Sequence, residues 1–357
     1  MSEQIVENEI LWRVEGAAGL IELNRPTALN ALTLNMVRAI NGALDAFAGD
    51  DTVQHIVLTG AGHKAFCAGG DIRRLYEQGK AGEHADQLTF WREEYLLNIR
   101  IKQYNKPFIS LIDGIVMGGG VGLSQHGTLR VIGEKYLFAM PEVGIGFFPD
   151  VGATFFLPRL KQDFGIYLGL TGARVKAGDA LACGLADHFV PSNHFMALKQ
   201  RLIAGQQYRH AVADEAVTPP APELFGQWPM LRECFVPAPA EIILARLAGL
   251  APRFAEVQRV LDELRTKSPF SVALTAQQLL EGTRLKEQRV DLSAAMTIEY
   301  RMVSRIIFEP DFYEGIGAVV INRGKTPHWR HTSVESVPDW DIAKMFEPLP
   351  GQELYEG

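Results

Sequence analysis

The sequence predicts an α/β domain with a largely parallel sheet, followed by a helical C-terminal region. Three observations carry that prediction. Short β-branched runs alternate with stretches of helical spacing over residues 1–195. Several of those runs end in Gly-rich turns. Beyond a Pro-rich stretch within residues 196–230, expected to be a linker or long loop, the apolar spacing over residues 231–357 is helical.

Taken in order, "LWRVEGAAGLIELNRP" reads as two strands about a Gly turn, and "LTLNMVRAINGALDAFAGDD" has the 3.6-residue spacing of a helix. "QHIVLTG" is a strand ended by Gly. The charged "GAGHKAFCAGGDIRRL" reads as a loop leading to the helical "DQLTFWREEYLLNIRIKQY". "KPFISLIDG" is strand-like, "GGGVGLSQHG" opens a helix, and "TLRVIGEKYLFAMPE" holds further short strands. "DEAVTPPAPE" marks the linker. After it, "AEIILARLAGL", "RFAEVQRVLDELRTK", "SVALTAQQLLEG" and "LSAAMTIEYRMVSRII" have helical spacing.

A net charge of -7 argues against a general nucleic-acid or membrane-surface binder, while leaving room for a local basic pocket. The opening "MSEQIVENEILWRVEG" carries acids where a targeting peptide would be basic, so a soluble, unprocessed, cytoplasmic protein is expected. The three cysteines, Cys67, Cys183 and Cys234, lie far apart with no CxxC pair, which fits a reducing compartment. His63, His84, His328 and His331 lack partners at metal-ligand spacing, and no metal site is expected.

Two Gly-rich segments, "CAGGD" at Cys67–Asp71 and "MGGGVG" at Met117–Gly122, each follow a predicted strand. There Gly lets backbone N–H groups approach a ligand that a side chain would hold off. The functional reading is a pair of N–H donors aimed at one oxygen; the alternative is two tight turns under helices. Neither GxGxxG nor GxxxxGK[ST] occurs in this region. "GLSQHG" approaches the GxSxG nucleophile elbow, but His126 stands where the second Gly is needed. Ser124 and His126, two apart on a helix, point to different faces, so His126 reads as a packed histidine.

Together "LNRPTALNAL", "AFCAGGDI", "IDGIVMGGGVGL", "FAMPEVGIGFFPDVGATFFLPRL" and "LTGARVKAGDALACGLADHFV" resemble the crotonase (enoyl-CoA hydratase/isomerase) superfamily in order and spacing. "FWREEYLLN", "GLSQHG", "FFPDVG" and "DFYEGIGAVVINRGKTPHW" are most similar to one branch, the 3-hydroxyisobutyryl-CoA hydrolases of valine breakdown. The resemblance implies a crotonase-like ββα spiral fold with a helical C-terminal region. It implies an acyl-CoA substrate, no metal or redox cofactor, and a homo-oligomer of unsettled state, since this branch has a longer C-terminal region. It makes Gly70 and Gly119 the two oxyanion-hole donors. It puts CoA along Arg25, Ala28, Leu29, Phe66 and Ala68, with Arg323 and Lys325 near the phosphates or, equally, in a solvated basic turn.

The resemblance also separates the chemistries. Hydratases set two glutamates about one water; one matches Glu142 of "AMPE", while the other falls on Gly122. One glutamate still permits double-bond isomerisation. The hydrolase branch places Glu142 at the thioester carbon as nucleophile or general base, with Asp150 and Glu94 lining the same pocket. On the helical wheel Glu94 falls among Phe90, Trp91 and Leu97, so a desolvated carboxyl with a raised pKa is expected, while Glu93 faces solvent. Glu142 and Asp150 each have a plainer role as helix caps, and for Asp150 the two roles can coexist.

Overall fold

The computed structural model describes residues 9–355, so the first residues of the acidic opening stretch lie outside it. Among the described residues ten strands form two sheets. The larger, six-stranded sheet has the order β1 (Ile10–Glu15), β2 (Ala18–Leu23), β3 (His55–Gly60), β5 (Phe108–Ile112), β7 (Leu129–Ile132), β10 (His188–Phe189). The smaller sheet has the order β4 (Ala65–Cys67), β6 (Ile115–Met117), β8 (Leu137–Ala139), β9 (Val175–Lys176). β1 and β2 are antiparallel about the Gly16 turn, and the rest of the larger sheet is parallel.

Three times the chain runs one strand in the large sheet and the next in the small one: β3 then β4, β5 then β6, β7 then β8. Helix α1 (Leu34–Ala48) follows β2, and helices follow the first two of these pairs: α2 (Ile72–Lys80) and α3 (His84–Gln103) after β4, and α4 (Gly119–Gln125) after β6. This is the ββα spiral expected. Because β4, β6 and β8 are adjacent and parallel, the segments leaving their carboxyl ends meet at one place. Those segments are Ala68–Gly70, Gly118–Gly119 and Met140–Glu142.

Two corrections concern local structure. "GAGHKAFCAGGDIRRL", read as a loop, contains β4 and the start of α2; a three-residue strand leaves too little alternation to detect. Residues 196–230, read as a linker or long loop, hold the helices Phe195–Ile203 and Tyr208–Glu215 and most of Leu224–Leu231. The irregular parts are the short 204–207 turn and the Pro-rich 216–223 portion. The first two of these helices are fixed because Leu198, Leu202, Ala211 and Val212 cover the outer face of the large sheet, against Leu20, Val57, Ile109 and Val131.

The C-terminal helices do not form a separate body. Leu279 of Pro269–Glu287 and Met296 and Val303 of Leu292–Ile306 join the same buried core as Phe148, Trp91 and Leu97. Gly282 lets one of these helices approach closely, since a Cβ there would lie 2.2 Å from the Thr154 carbonyl oxygen. The C-terminal region therefore backs directly onto the loop that carries Asp150. Among the described residues no helix is long and apolar enough to cross a membrane.

Candidate active site

The three converging segments enclose a cavity of about 110 Å³, lined by Gly70, Gly119, Glu142, Glu94 and Asp150 together with Phe90, Trp91, Ile145 and Phe147. All five residues assigned to chemistry from the sequence thus meet. The backbone of the first two is arranged for donation. Leu32 bridges Gly70 in parallel fashion, bonding Gly69 O and Asp71 N on either side, which turns the N–H of Gly70 itself away from Leu32. Gly119 opens α4, where the first N–H groups have no intrahelical acceptor. The two come close: a Cβ on Gly119 would lie 3.3 Å from the Gly70 nitrogen and 2.5 Å from Glu94 Oε1. Gly69 at φ +114° and Gly118 at φ +44° make the turns that allow this.

The carboxylates come from three directions. Glu142 follows β8 and is 7% exposed; Glu94, on α3, is 2% exposed; Asp150 follows the "FFP" segment and is 5% exposed. Glu142 Oε2 and Glu94 Oε1 are buried without a hydrogen-bond partner among the described residues, so each has a free acceptor in the cavity. Asp150 Oδ2 accepts a bond from the Tyr95 hydroxyl at 2.9 Å. Burial pushes Glu142 well above the usual carboxylate range, with repulsion from Asp150 adding to it. Burial likewise raises Glu94, helped by Asp150 and Glu299. Asp150 is raised by burial and drawn back by Tyr95 and Trp91.

The cap readings of both acids are corrected. Glu142 is itself the first residue of the 3-10 turn Glu142–Ile145, whose cap position is Pro141 with no side-chain bond. Asp150 does not cap the helix Ala153–Phe156 with its side chain either. Glu299, from the helix Leu292–Ile306, accepts bonds from Gly152 N at 2.7 Å and Thr154 N at 2.8 Å. Burial raises Glu299 to about 8. The sequence reading missed it, although an acid in the stripe Ala295, Met296, Met302, Val303 was a visible signal.

Gly122, where a hydratase carries its second glutamate by the resemblance, is not an open position. A Cβ there would lie 2.5 Å from Asn98 Oδ1 and 2.8 Å from the Val151 Cβ. Asn98 sits one turn after Glu94 on α3, fully buried, with both amide atoms unpartnered among the described residues. Gly122→Ala should therefore destabilise the protein by about 1–3 kcal/mol through overpacking, seen as a lower Tm. An unchanged Tm would show that Asn98 and Val151 move aside freely.

Ser124 donates to the Gly120 carbonyl at 2.9 Å, the ordinary bond of a serine inside a helix. His126 is packed as expected, and its Nε2 donates to the Val151 carbonyl at 2.7 Å. Burial lowers its pKa to about 4, so the ring is neutral. Glu93 instead pairs with Arg38 at the surface.

The residues expected along CoA divide. Leu29, in the left-handed region at φ +53°, accepts a bond from Ala68 N at 3.0 Å, so the Arg25–Leu29 turn and the "AFCAG" strand are one unit. Ala28 and Leu29 are half-buried, Ala68 lines the acyl cavity, and the Phe66 ring is buried. The Arg25 guanidinium is already engaged by Glu9, Asp71 and the Ala31 carbonyl, which limits it to backbone contact with a ligand. Lys325 lines a second cavity of about 890 Å³ with Lys80, Arg330, Tyr76 and Tyr313; Arg323 is exposed and is not part of its lining. Helix α2 borders both cavities, through Ile72 and Leu75 on one and Tyr76 and Lys80 on the other.

The buried acids also set the pH dependence of stability. From about pH 6.5 upward His126 is neutral folded and increasingly so unfolded, while burial raises the pKa values of Glu94, Glu142 and Asp150, so that the folded chain keeps protons that the unfolded chain has lost until the pH passes those raised values. The folded state then binds more protons, so stability falls as pH rises. Tm should drop between about pH 6.5 and 8.5. A Tm that climbs over this range would contradict the raised pKa values.

A family model described as enoyl-CoA hydratase/isomerase matches residues 18–346. The mitochondrial 3-hydroxyisobutyryl-CoA hydrolase of Danio rerio is 41% identical over 362 residues, covering 97% of this chain and 91% of that protein. The human protein of the same name is 39% identical over 356 residues, covering 97% and 90%. Among solved structures, a carnitinyl-CoA dehydratase from Mycobacterium thermoresistibile superposes with a TM-score of 0.91 at 38% identity, covering 98% of this chain and 100% of that one. An enoyl-CoA hydratase from Rhodobacter sphaeroides 2.4.1 gives 0.86 at 39%, covering 97% and 99%. The geometry of the converging glycines and acids and these full-length similarities agree: the chain belongs to the enoyl-CoA hydratase/isomerase family.

Proposed function

We propose that the protein hydrolyses the thioester of a small branched 3-hydroxyacyl-CoA, 3-hydroxyisobutyryl-CoA in the first instance. The observation that carries this reading is the placement of Glu142, Glu94 and Asp150 in one cavity with Gly122 closed to a further acid. The relatives named as 3-hydroxyisobutyryl-CoA hydrolases support it. The two solved neighbours are named for addition or removal of water at a double bond. In this chain the position of the second glutamate for that route is Gly, with Asn98 and Val151 pressed against it.

The thioester carbonyl oxygen takes the space before the N–H groups of Gly70 and Gly119, an oxyanion hole for the negative charge of the tetrahedral intermediate. Glu142 attacks the carbonyl carbon, giving a mixed anhydride and CoA thiolate, and water then cleaves the anhydride. In the other form of the step Glu142 takes a proton from an attacking water. Asp150 holds the substrate 3-hydroxyl or orients the water, and Glu94, its pKa raised by burial, anchors a hydrogen bond in the same pocket. The chemistry calls on no metal or redox cofactor. A cavity of about 110 Å³ suits a short acyl group rather than a long chain. The CoA moiety lies along Arg25, Ala28, Leu29, Phe66 and Ala68, with Lys325 toward its phosphates. Residence in a reducing cytoplasm is likewise our proposal, supported by the three free, buried cysteines.

The test measures free CoA released from 3-hydroxyisobutyryl-CoA beside hydration of crotonyl-CoA. Release from the first with little turnover of the second is expected. Rapid hydration of crotonyl-CoA with no CoA released would overturn the reading.

A further inference from the structure

We propose that Glu299, in the C-terminal helical region, is a positioning residue for the reaction: it holds the strained turn Pro149–Gly152 and thereby fixes where Asp150 meets the substrate. The proposal rests on the role given to Asp150 above.

The turn is not one the chain adopts by preference. Val151 lies at φ +52°, in the left-handed region that a β-branched residue avoids, and Gly152 follows at φ +90°. Such a conformation persists only where its surroundings over-determine it. Here they do, through buried polar side chains from separate elements. His126, at the end of α4, donates to the Val151 carbonyl at 2.7 Å. Gln278, on Pro269–Glu287, donates to the Pro149 carbonyl at 2.6 Å and to Thr154 Oγ1 at 2.8 Å. Tyr95 donates to Asp150 itself. Glu299 receives the two N–H groups that leave the turn, Gly152 and Thr154, one on each oxygen.

Glu299 is the most informative of these. It is fully buried, and a buried carboxyl costs stability that an apolar residue on the same helical stripe would not. What an apolar residue lacks is two acceptor oxygens in one plane. Those two bonds tie the strained turn to a 15-residue helix anchored in the main core. The clamp gives the C-terminal region a part in catalysis although, among the described residues, none of its own side chains lines the acyl cavity.

The experiment is a double-mutant cycle on the full-length enzyme with 3-hydroxyisobutyryl-CoA, using Glu299→Gln and Asp150→Asn. Gln keeps one acceptor but presents an amide donor to the second N–H. We expect Glu299→Gln to lower kcat at least about 10-fold with KM changed less than about 2-fold, because CoA contacts lie elsewhere. In the Asp150→Asn background the same substitution should cost less than about 3-fold, since the group being positioned is already lost. Equal losses in both backgrounds would mean that Glu299 serves the fold alone, and would overturn the proposal. If Asp150→Asn itself leaves kcat unchanged, the role assigned to Asp150 fails instead. Should Glu299→Gln not fold, Gln278→Leu loosens the same turn from another helix and enters the same cycle with the same expectations.

Discussion

Glu142→Gln is expected to lower kcat for CoA release by about 10³-fold or more, while the protein keeps its fold. The amide is nearly isosteric with the carboxyl, and the side chain is buried. Glu142 Oε2 has no partner among the described residues to lose, so the substitution breaks no bond to that atom. Removing a charge that burial and Asp150 both oppose also relieves repulsion in the ground state. A drop in kcat together with an unchanged or higher Tm is therefore the signature. In the unmodified enzyme kcat/KM should rise with pH as Glu142 ionises, with a midpoint above the ordinary carboxylate range, and this limb should vanish in the variant. Single turnover in heavy-oxygen water bears on the form of the step. Label found in the Glu142 carboxylate shows an anhydride cleaved at the glutamyl carbon, whereas label confined to the product fits general-base attack or an anhydride cleaved at the substrate carbonyl. Near-normal hydrolysis by Glu142→Gln would remove Glu142 from the reaction altogether.

The parts of this site that the sequence revealed are those whose signal is local. Glu94 falls inside an apolar arc of its own helix, and its burial follows from the wheel. The Gly-rich turns announce close backbone approach wherever they lie. The small sheet was harder, because β4, β6 and β8 have three residues each and are held by one another rather than by intrinsic preference. Asp150 shows the opposite error. An Asp shortly before a helical run looks like a cap, yet the capping acceptors come from Glu299, nearly 150 residues later. No spacing rule connects residues that far apart. The same holds for Asn98, whose fit against Gly122 exists only once α3 lies across α4. The helices within residues 196–230 are hidden in the sequence because Pro content describes only the 216–223 part, while Leu198, Leu202, Ala211 and Val212 answer to the outer face of a distant sheet.

Gly119→Ala should cost about 10²- to 10³-fold in kcat, close to the loss of an oxyanion donor, although the backbone N–H remains. The reason is crowding rather than deletion. The added methyl would stand 2.5 Å from Glu94 Oε1, 3.3 Å from the Gly70 nitrogen and 3.4 Å from the Leu32 side chain. The Gly70 contact lies at the mouth of the proposed donor pair, so a methyl there takes volume that a carbonyl oxygen needs. Glu94 cannot retreat without penalty, because α3 is packed against α2, α4 and the helix Leu292–Ile306, and its Oε1 has no other partner among the described residues to receive it. Part of the strain must then go into displacing α4, and the two N–H groups lose their common target. Since the effect falls on the transition-state oxyanion more than on the bound CoA, kcat should fall much more than KM rises. Gly120→Ala provides the contrast. Its methyl would meet the Cys67 carbonyl oxygen at 2.4 Å, beneath the site, and should show itself first as lost stability. If Gly119→Ala instead reduced Tm alone and left kcat intact in the folded fraction, the two glycines would be turns and nothing more.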